Sequence, residues 1–400
     1  MSVSPAEAKR TALVLAGAQA IVGAAAPICI SIGALAGYYL LDADKSLATA
    51  PVTGFNLGVA LGALPAAALI RMLGQRGGFT AGTAFTAAGG AVATGGLFAA
   101  SFWIFAFGLF LVGLGGAFVQ QFRFAAADNA PPEFKARAIS FVMTGGIITA
   151  IIGPQVVIFT RELFAPVMFA GSFASILILA AVGAVLLSQL PRKALSTGRV
   201  VDDNALPARP LGEIIRQPRF VASLTCAVGT YALMSFVMTG APLAMVGCGF
   251  SPDQAALGIS LHVMAMYGPS FFTGRLINRF GAPAIVFAGL VILVGCALVA
   301  LSGIALWQFW VALVLLGLGW NFGFIGATAI TAQTYRPSER ARLLGFHDSI
   351  LFGSVAFGSL MSGQIYNAFG WDMLAWIMFP VVAICLIALT PMLGRRSQAA

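Results

Sequence analysis

The sequence predicts an all-α integral membrane protein of twelve transmembrane helices, arranged as two pseudo-symmetric six-helix bundles. Three observations predict it. Of the 400 residues, 60% are apolar and only 9% charged, with a mean hydropathy of +0.95; soluble domains carry roughly 25% charged residues. Apolar runs of about 18–25 residues recur between short polar islands, each run long enough to cross about 30 Å of hydrocarbon as helix. And the basic residues fall almost entirely on alternate islands.

The first run, 11–38, follows the flank MSVSPAEAKR. A signal peptide shares that opening, but its apolar core is shorter; this run continues to about Leu40, so an uncleaved first helix is the expectation. Runs 51–70, 78–98, 102–124, 139–160 and 166–189 complete an N-terminal six-helix bundle, residues 1–190. Residues 191–219 are the longest polar stretch, with the Pro, Gly, Asp and Arg content of a cytoplasmic central linker. Near its end, LGEIIRQPRF suits either a short amphipathic helix on the membrane surface or a plain loop. Runs 220–244, 254–273, 283–302, 305–333, 343–363 and 373–392 form the C-terminal bundle, residues 220–400. The separations at 98–102 and 302–305 are the narrowest.

Charge tests the count independently. With the N-terminus in the cytoplasm, the external loops hold only Lys45 and Arg161 of the 22 Lys and Arg residues. That is the positive-inside asymmetry, which orients the chain and favours an even number of spans. Both termini are therefore expected in the cytoplasm, in the inner membrane of a bacterium. The formal charge of +9 is spread over these islands rather than gathered into a patch for nucleic acid. The five cysteines show no metal-like or paired spacing.

Two cytoplasmic islands repeat. AALIRMLGQR (67–76) and GRLINRFGAP (274–283) align without a gap and share Leu69/Leu276, Ile70/Ile277 and Gly74/Gly281. PEFKAR (132–137) and PSERAR (337–342) match at nearly the same offset, which points to duplication of a six-helix unit. Two such halves across a membrane are a common route to alternating access. GRLINRFG resembles the cytoplasmic signature of the major facilitator superfamily, G-x-L-x-D-R-x-G-R-[RK], which lies between helices two and three and again between eight and nine. Gly274, Leu276, Arg279 and Gly281 match it, and Asn278 stands where the family has Asp. The first copy is worn: Ala67, Arg71 and Met72 replace Gly, Asp and Arg, while Gly74 and Arg76 fit. The resemblance implies the superfamily's twelve-helix fold and a conformational role for these loops. It says almost nothing about substrate. GGIITAIIGPQ (145–155), with Gly153 and Pro154, partly resembles the fifth-helix motif of the superfamily's proton-coupled exporters. Physically it offers close helix packing and a bend.

Polar residues inside apolar spans are the functional leads, because each costs energy in lipid unless it faces a cavity or a partner. They are Asn56, Gln120, Gln121, Tyr231, His262, Tyr267, Trp320, Asn321, His347 and Asp348. His262 suits either a structural hydrogen bond or proton and substrate handling. Asp348 suits either a coupling or gating carboxylate or a helix-terminus partner. Arg123, Asp128 and Lys135 belong to the inner rim, where an ion pair of Asp128 with one of the two bases is expected.

Together these readings predict a secondary transporter, not an enzyme, working without cofactor or metal, as a monomer among membrane lipids. No GxxxxGK[ST] occurs, so ATP drive is not expected. A path that is mostly apolar and aromatic favours a neutral or amphipathic organic solute. Proton-coupled efflux by antiport of a drug-like or metabolite substrate leads. Proton-coupled uptake of a nutrient or vitamin-like solute is the alternative; a membrane sensor or enzyme is a distant third, lacking a soluble domain or a catalytic cluster.

Overall fold

In the computed structural model, which describes residues 5–131, 134–191 and 208–393, every described regular element is a helix. They are α1 (Pro5–Val22), α2 (Ala25–Leu40), α3 (Ala50–Phe98), α4 (Phe102–Val119), α5 (Phe122–Asp128), α6 (Lys135–Thr160) and α7 (Ala170–Leu187), then α8 (Leu211–Ile215). The second half holds α9 (Pro218–Gly247), α10 (Pro252–Tyr267), α11 (Ser270–Phe280), α12 (Ala282–Leu301), α13 (Leu306–Thr331), α14 (Arg340–Phe369) and α15 (Trp371–Leu393). Ten stretches among the described residues are long and apolar enough to cross a membrane, and eleven if the pair α10–α11, bent by 41°, is one span.

α3 is two apolar arms joined at a break. Its 49 residues would run about 73 Å if straight, more than twice the hydrocarbon thickness. At Gly74 the backbone leaves the helix (φ 73, ψ 172). On either side of that break the chain packs along α4 in opposite senses. Gly54, Gly58 and Gly62 lie against Ala106, Phe110 and Leu114, whereas Gly82, Gly89 and Gly96 lie against Phe118, Val112 and Phe105. The register climbs on one arm and descends on the other, so the chain reverses at Gly74. A Cβ at Gly58, Gly89 or Gly96 would run into α4 backbone, and one at Gly62 or Gly82 into the Ala117 or Phe118 side chain, so their absence lets the helices close together.

Gly281 (φ 85) makes the corresponding turn between α11 and α12. Two spans are broken midway, α1–α2 at Gly23–Ala24 and α10–α11 at Gly268–Pro269. Where α10 stops, Asn321 of α13 takes over a freed carbonyl. Its Nδ2 donates to Met266 O (2.6 Å) and Ser270 Oγ (2.8 Å), and its Oδ1 accepts from Thr273 Oγ1 (2.6 Å). A break within a membrane is tolerated when neighbours re-satisfy the backbone in this way.

Several boundaries differ from the sequence expectation. The sixth span starts at Ala170, not 166, because residues 161–169 form turns that end with Phe169 at φ 66. The eighth and eleventh spans run further, to Phe280 and Phe369. LGEIIRQPRF yields only the five-residue α8, whose Ile214 packs with Phe220 and Leu343. The linker residues 192–207, residues 132–133 of the island PEFKAR, and Arg395 and Arg396 lie outside the described residues.

Among the described residues, the halves before and after the linker pack on each other through a few elements. Contacts between them join α2 to α9 and α10, α6 to α10, and α3 to α14. Thr49 Oγ1 donates to Leu360 O (3.2 Å), and Ser260 Oγ donates to Ala150 O (2.5 Å). Both bonds lie away from the basic loops: Thr49 precedes α3, and Leu360 and Ala150 lie in the later halves of α14 and α6, whose first residues are basic. Among the described residues, α1, α5, α8 and α11, which border the basic face, do not pack extensively on the other half.

Candidate functional site

Two adjoining cavities lie between the halves, with ≈ 130 and ≈ 110 Å³ open to the centres of water molecules. Gln19, Val119, Gln120, Tyr231, Met266, Tyr267 and Phe352 line both, so they form one path. The helix breaks explain the placement. Gln19 precedes the α1–α2 break, and Tyr267 is the last residue of α10. Interrupted helices are how many transporters turn polar groups toward a central site. Asn56, Phe55, Thr86, Thr149, Met234 and Ser235 line the cavity farther from the basic face; Arg123, Met143, Trp320, Phe324 and Ile325 line the one nearer it.

The aromatic wall is continuous. Trp320 and Phe324 stack with centroids 5.1 Å apart and planes inclined by 17°. Tyr231 meets Trp320 at 5.4 Å, Phe324 at 5.0 Å and Phe352 at 6.0 Å.

Of the residues singled out in the sequence, Asn56, Gln120, Tyr231, Tyr267, Trp320 and the rim residue Arg123 come together around this path. Gln121 and Asn321 do not line it; Asn321 is fully engaged at the α10–α11 break. His262 lines neither cavity. It is enclosed between α10 and α13, with Nδ1 2.8 Å from Leu313 O and Nε2 buried without a partner. His347 is buried and its Nδ1 lies 2.9 Å from Asp348 Oδ1; the Asp348 side chain is 54% exposed. Asp348 is one helical turn from Phe352 on α14, and so sits on the basic-face side of the path.

No carboxylate, histidine or lysine lines either cavity among the described residues, and Arg123 is their one formal charge. The expected ion pair of Asp128 with Arg123 or Lys135 is not formed. Asp128 and Lys135 are exposed, and neither has a salt-bridge partner among the described residues. Instead Arg123 lies over the Phe124 ring at 4.9 Å, and its Nε is buried without an acceptor. The rim amide that does pair is one the sequence left unmarked: Asn129 Nδ2 donates to Gln75 Oε1 at 2.7 Å, tying the first basic loop to the end of α5.

Two ion pairs bracket the molecule. On the face away from the basic loops, Arg161 Nε stands 3.0 Å from Asp253 Oδ1, across the two halves, at a contact that is ionic in distance but off the N–H axis. On the basic face, the Glu339 carboxylate accepts from Arg209 Nε (2.9 Å), Arg209 Nη2 (2.8 Å) and the backbone N–H groups of Arg209 and Arg336 (2.8 Å each). The Arg209 guanidinium above all holds Glu339 far below the usual carboxylate range, outweighing its burial.

The signature loops are turns in this arrangement. Asn278 and Arg279 are exposed, and Arg279 lies over Phe280 at 5.2 Å. Arg71 is exposed and Arg76 half-buried. In the fifth span, Gly145 and Gly153 abut Ala16 and Pro27, packing α6 on α1 and α2, while Gly146 faces Tyr267 across the path. Pro154 lies inside α6. Among the lining residues that sequence reasoning missed are Gln19, Thr86, Thr149, Ser235, Ser270 and the aromatics Phe55, Phe324 and Phe352. Gln19 was the legible one, a lone amide within an apolar run. The hydroxyls were hidden because Ser and Thr also satisfy themselves on the preceding helical turn.

Comparisons with known proteins agree with this architecture. The family profile described as Major Facilitator Superfamily matches residues 11–321 and 224–399. The chain is 47% identical over 395 residues, 98% of each protein, to the riboflavin transporter RfnT of Brucella anthropi. It is 31% identical over 361 residues, 86% of this chain and 82% of the relative, to the uncharacterized MFS-type transporter YdeG of Bacillus subtilis. The solved structure of the xylose transporter XylE from E. coli, in a partially occluded inward open conformation, superposes with a TM-score of 0.72 and covers 99% of each chain. Its 11% identity makes that a likeness of fold alone.

Proposed function

This chain belongs to the major facilitator superfamily, and from that premise we propose that it carries riboflavin, or a flavin closely like it, into the cell by alternating access. The observation that carries the reading is the end-to-end 47% identity to a protein named as a riboflavin transporter. The path supports it: an aromatic wall, several amides and hydroxyls, and no carboxylate among the described lining residues suit a neutral, flat, polar solute. Uptake thereby replaces efflux as the leading mode. The fifth-span glycines that favoured efflux pack α6 on α1 and α2, a role that serves either direction.

The basic face belongs in the cytoplasm of a bacterial plasma membrane, together with both termini. In that orientation the halves are closed on the external side, by Arg161–Asp253 and Thr49–Leu360, and the cavity is poised to release solute inward. Proton drive is part of the proposal, with Asp348 as the carrier beside the path and His347 as the residue that positions it.

The test is uptake of labelled riboflavin by cells that lack both riboflavin synthesis and import, followed by flux into proteoliposomes of the purified protein. Growth rescue at low riboflavin and saturable flux are expected. Absence of both, with the protein inserted and monodisperse, overturns the reading.

A further inference from the structure

The two cavities differ in what they offer a ligand. In the one nearer the basic face, two buried N–H groups have no acceptor among the described residues: Arg123 Nε and Trp320 Nε1. Both belong to the lining, beside the stacked rings of Trp320 and Phe324 and the edge of Tyr231. Donors left unpaired in a low-dielectric site are costly, and a ligand that brings acceptors removes the cost. With no carboxylate in the lining, this chamber has donors and flat apolar surface to give.

The other cavity has the opposite bias. The hydroxyls of Thr86, Thr149 and Ser235 already donate, to Gly82 O (3.2 Å), Gln19 O (2.7 Å) and Val355 O (3.3 Å). What they retain is acceptor capacity, fit for a ligand's O–H groups. Asn56 adds one buried, unpartnered amide donor, Nδ2. A mixed set of acceptors with one donor suits a polyol, which both gives and takes hydrogen bonds.

Resting on the flavin reading, we propose that the substrate lies lengthwise in the path with a fixed polarity. Its acceptor-rich heteroaromatic ring stacks on Trp320, Phe324 and Tyr231 and takes hydrogen bonds from Arg123 and Trp320. Its polyol chain points away from the basic face, toward Asn56 and Thr149. The ring carries C=O and imine acceptors on one edge and a π face for stacking, which matches the first chamber; aromatic contact holds it at low entropic cost because the wall is already assembled. The chain's O–H groups can donate to the hydroxyl oxygens of the second chamber and accept from Asn56 Nδ2. No covalent step is involved.

The experiment measures quenching of ligand fluorescence by the purified full-length protein, using two probes: riboflavin, and lumichrome, the tautomeric alloxazine ring without the polyol chain, which keeps both C=O groups and the N5 imine as acceptors. The wild type is expected to bind both. Trp320→Phe, which keeps a ring but removes the N–H, and Arg123→Gln should weaken both probes by about fivefold or more, the scale of one lost hydrogen bond. Asn56→Ala and Thr149→Val should weaken riboflavin and leave lumichrome binding unchanged, which also shows that those variants fold. Wild-type protein that binds neither probe overturns the flavin reading and this proposal with it. Normal wild-type binding overturns the placement alone in either of two cases: the Trp320 and Arg123 variants bind like wild type, or the Asn56 and Thr149 variants weaken lumichrome as much as riboflavin.

Discussion

At the residue scale, the ionisable groups in the spans have separate fates, and each follows from its neighbours. His262 gives Nδ1 to a backbone carbonyl and is sealed between α10 and α13. Asp348 instead keeps more than half of its side chain exposed while held by His347. For the proposed proton-driven uptake the carrier must be reached from solution, which suits Asp348 to that role and His347 to positioning it. Asp348→Asn is expected to abolish riboflavin accumulation driven by a pH gradient while preserving equilibrium exchange of labelled for unlabelled riboflavin. His262→Gln is expected to leave gradient-driven accumulation intact. Full accumulation by the Asp348→Asn protein at several pH values would show that the drive lies elsewhere.

At the element scale, the basic loops depend on backbone conformation more than on side-chain pairing. Gly281 sits at φ 85 and Gly74 at φ 73, a region L-residues rarely adopt. Gly274, the first residue of the signature, is helical and has open space where a Cβ would be. Gly281→Ala should therefore destabilise the detergent-solubilised protein by about 1 kcal/mol or more, whereas Gly274→Ala should leave its unfolding temperature unchanged or slightly raised. Equal behaviour of the two would mean that the turn is not strained.

A second element-scale device is the clasp of Glu339 on Arg209. It pins the last described residues before α8 to the turn before α14. Because the folded carboxylate titrates below its ordinary range, its contribution is complete above that range and is lost only as pH falls through the lowered value. Thermal stability should accordingly show no dependence on this group between about pH 5 and 8. Glu339→Gln should lower the unfolding temperature by several degrees at pH 7, with most of the difference disappearing in strong acid. An unfolding temperature matching wild type at pH 7 would remove the clasp from the account.

At the scale of the whole molecule, a natural probe reports orientation. Cys248 is exposed at the end of α9, on the face away from the basic loops, and the other four cysteines are buried. A membrane-impermeant maleimide applied to intact spheroplasts should label the protein, and Cys248→Ser should abolish the labelling. Labelling that appears only after permeabilisation would invert the topology and turn the closed face inward. The same face carries the Arg161–Asp253 contact between halves, partly exposed at 18% and 32%. Pairs of that kind contribute about 0.2–1 kcal/mol.

Much of this was legible in the linear chain. Hydropathy marked twelve apolar runs, and the basic islands set the expectation for which loops share a face, because both depend on solvent and bilayer rather than on partners. The repeated Gly74 and Gly281 marked turns because only a residue without Cβ takes their backbone angles readily. The site was half legible: Asn56, Gln120, Tyr231, Tyr267 and Trp320 announce themselves as polar groups in apolar runs, and all line the path. Whether such a group faces a cavity or a neighbour is set by helix rotation and by breaks in the spans. That is why Asn321 and His262 turned to backbone carbonyls, while Gln19, Thr149 and Phe352 turned to the path. Sequence alone determined what must be in lipid and which loops carry the charge. Only the tertiary structure decided which side chains share one cavity, because that depends on close packing between residues up to hundreds of positions apart.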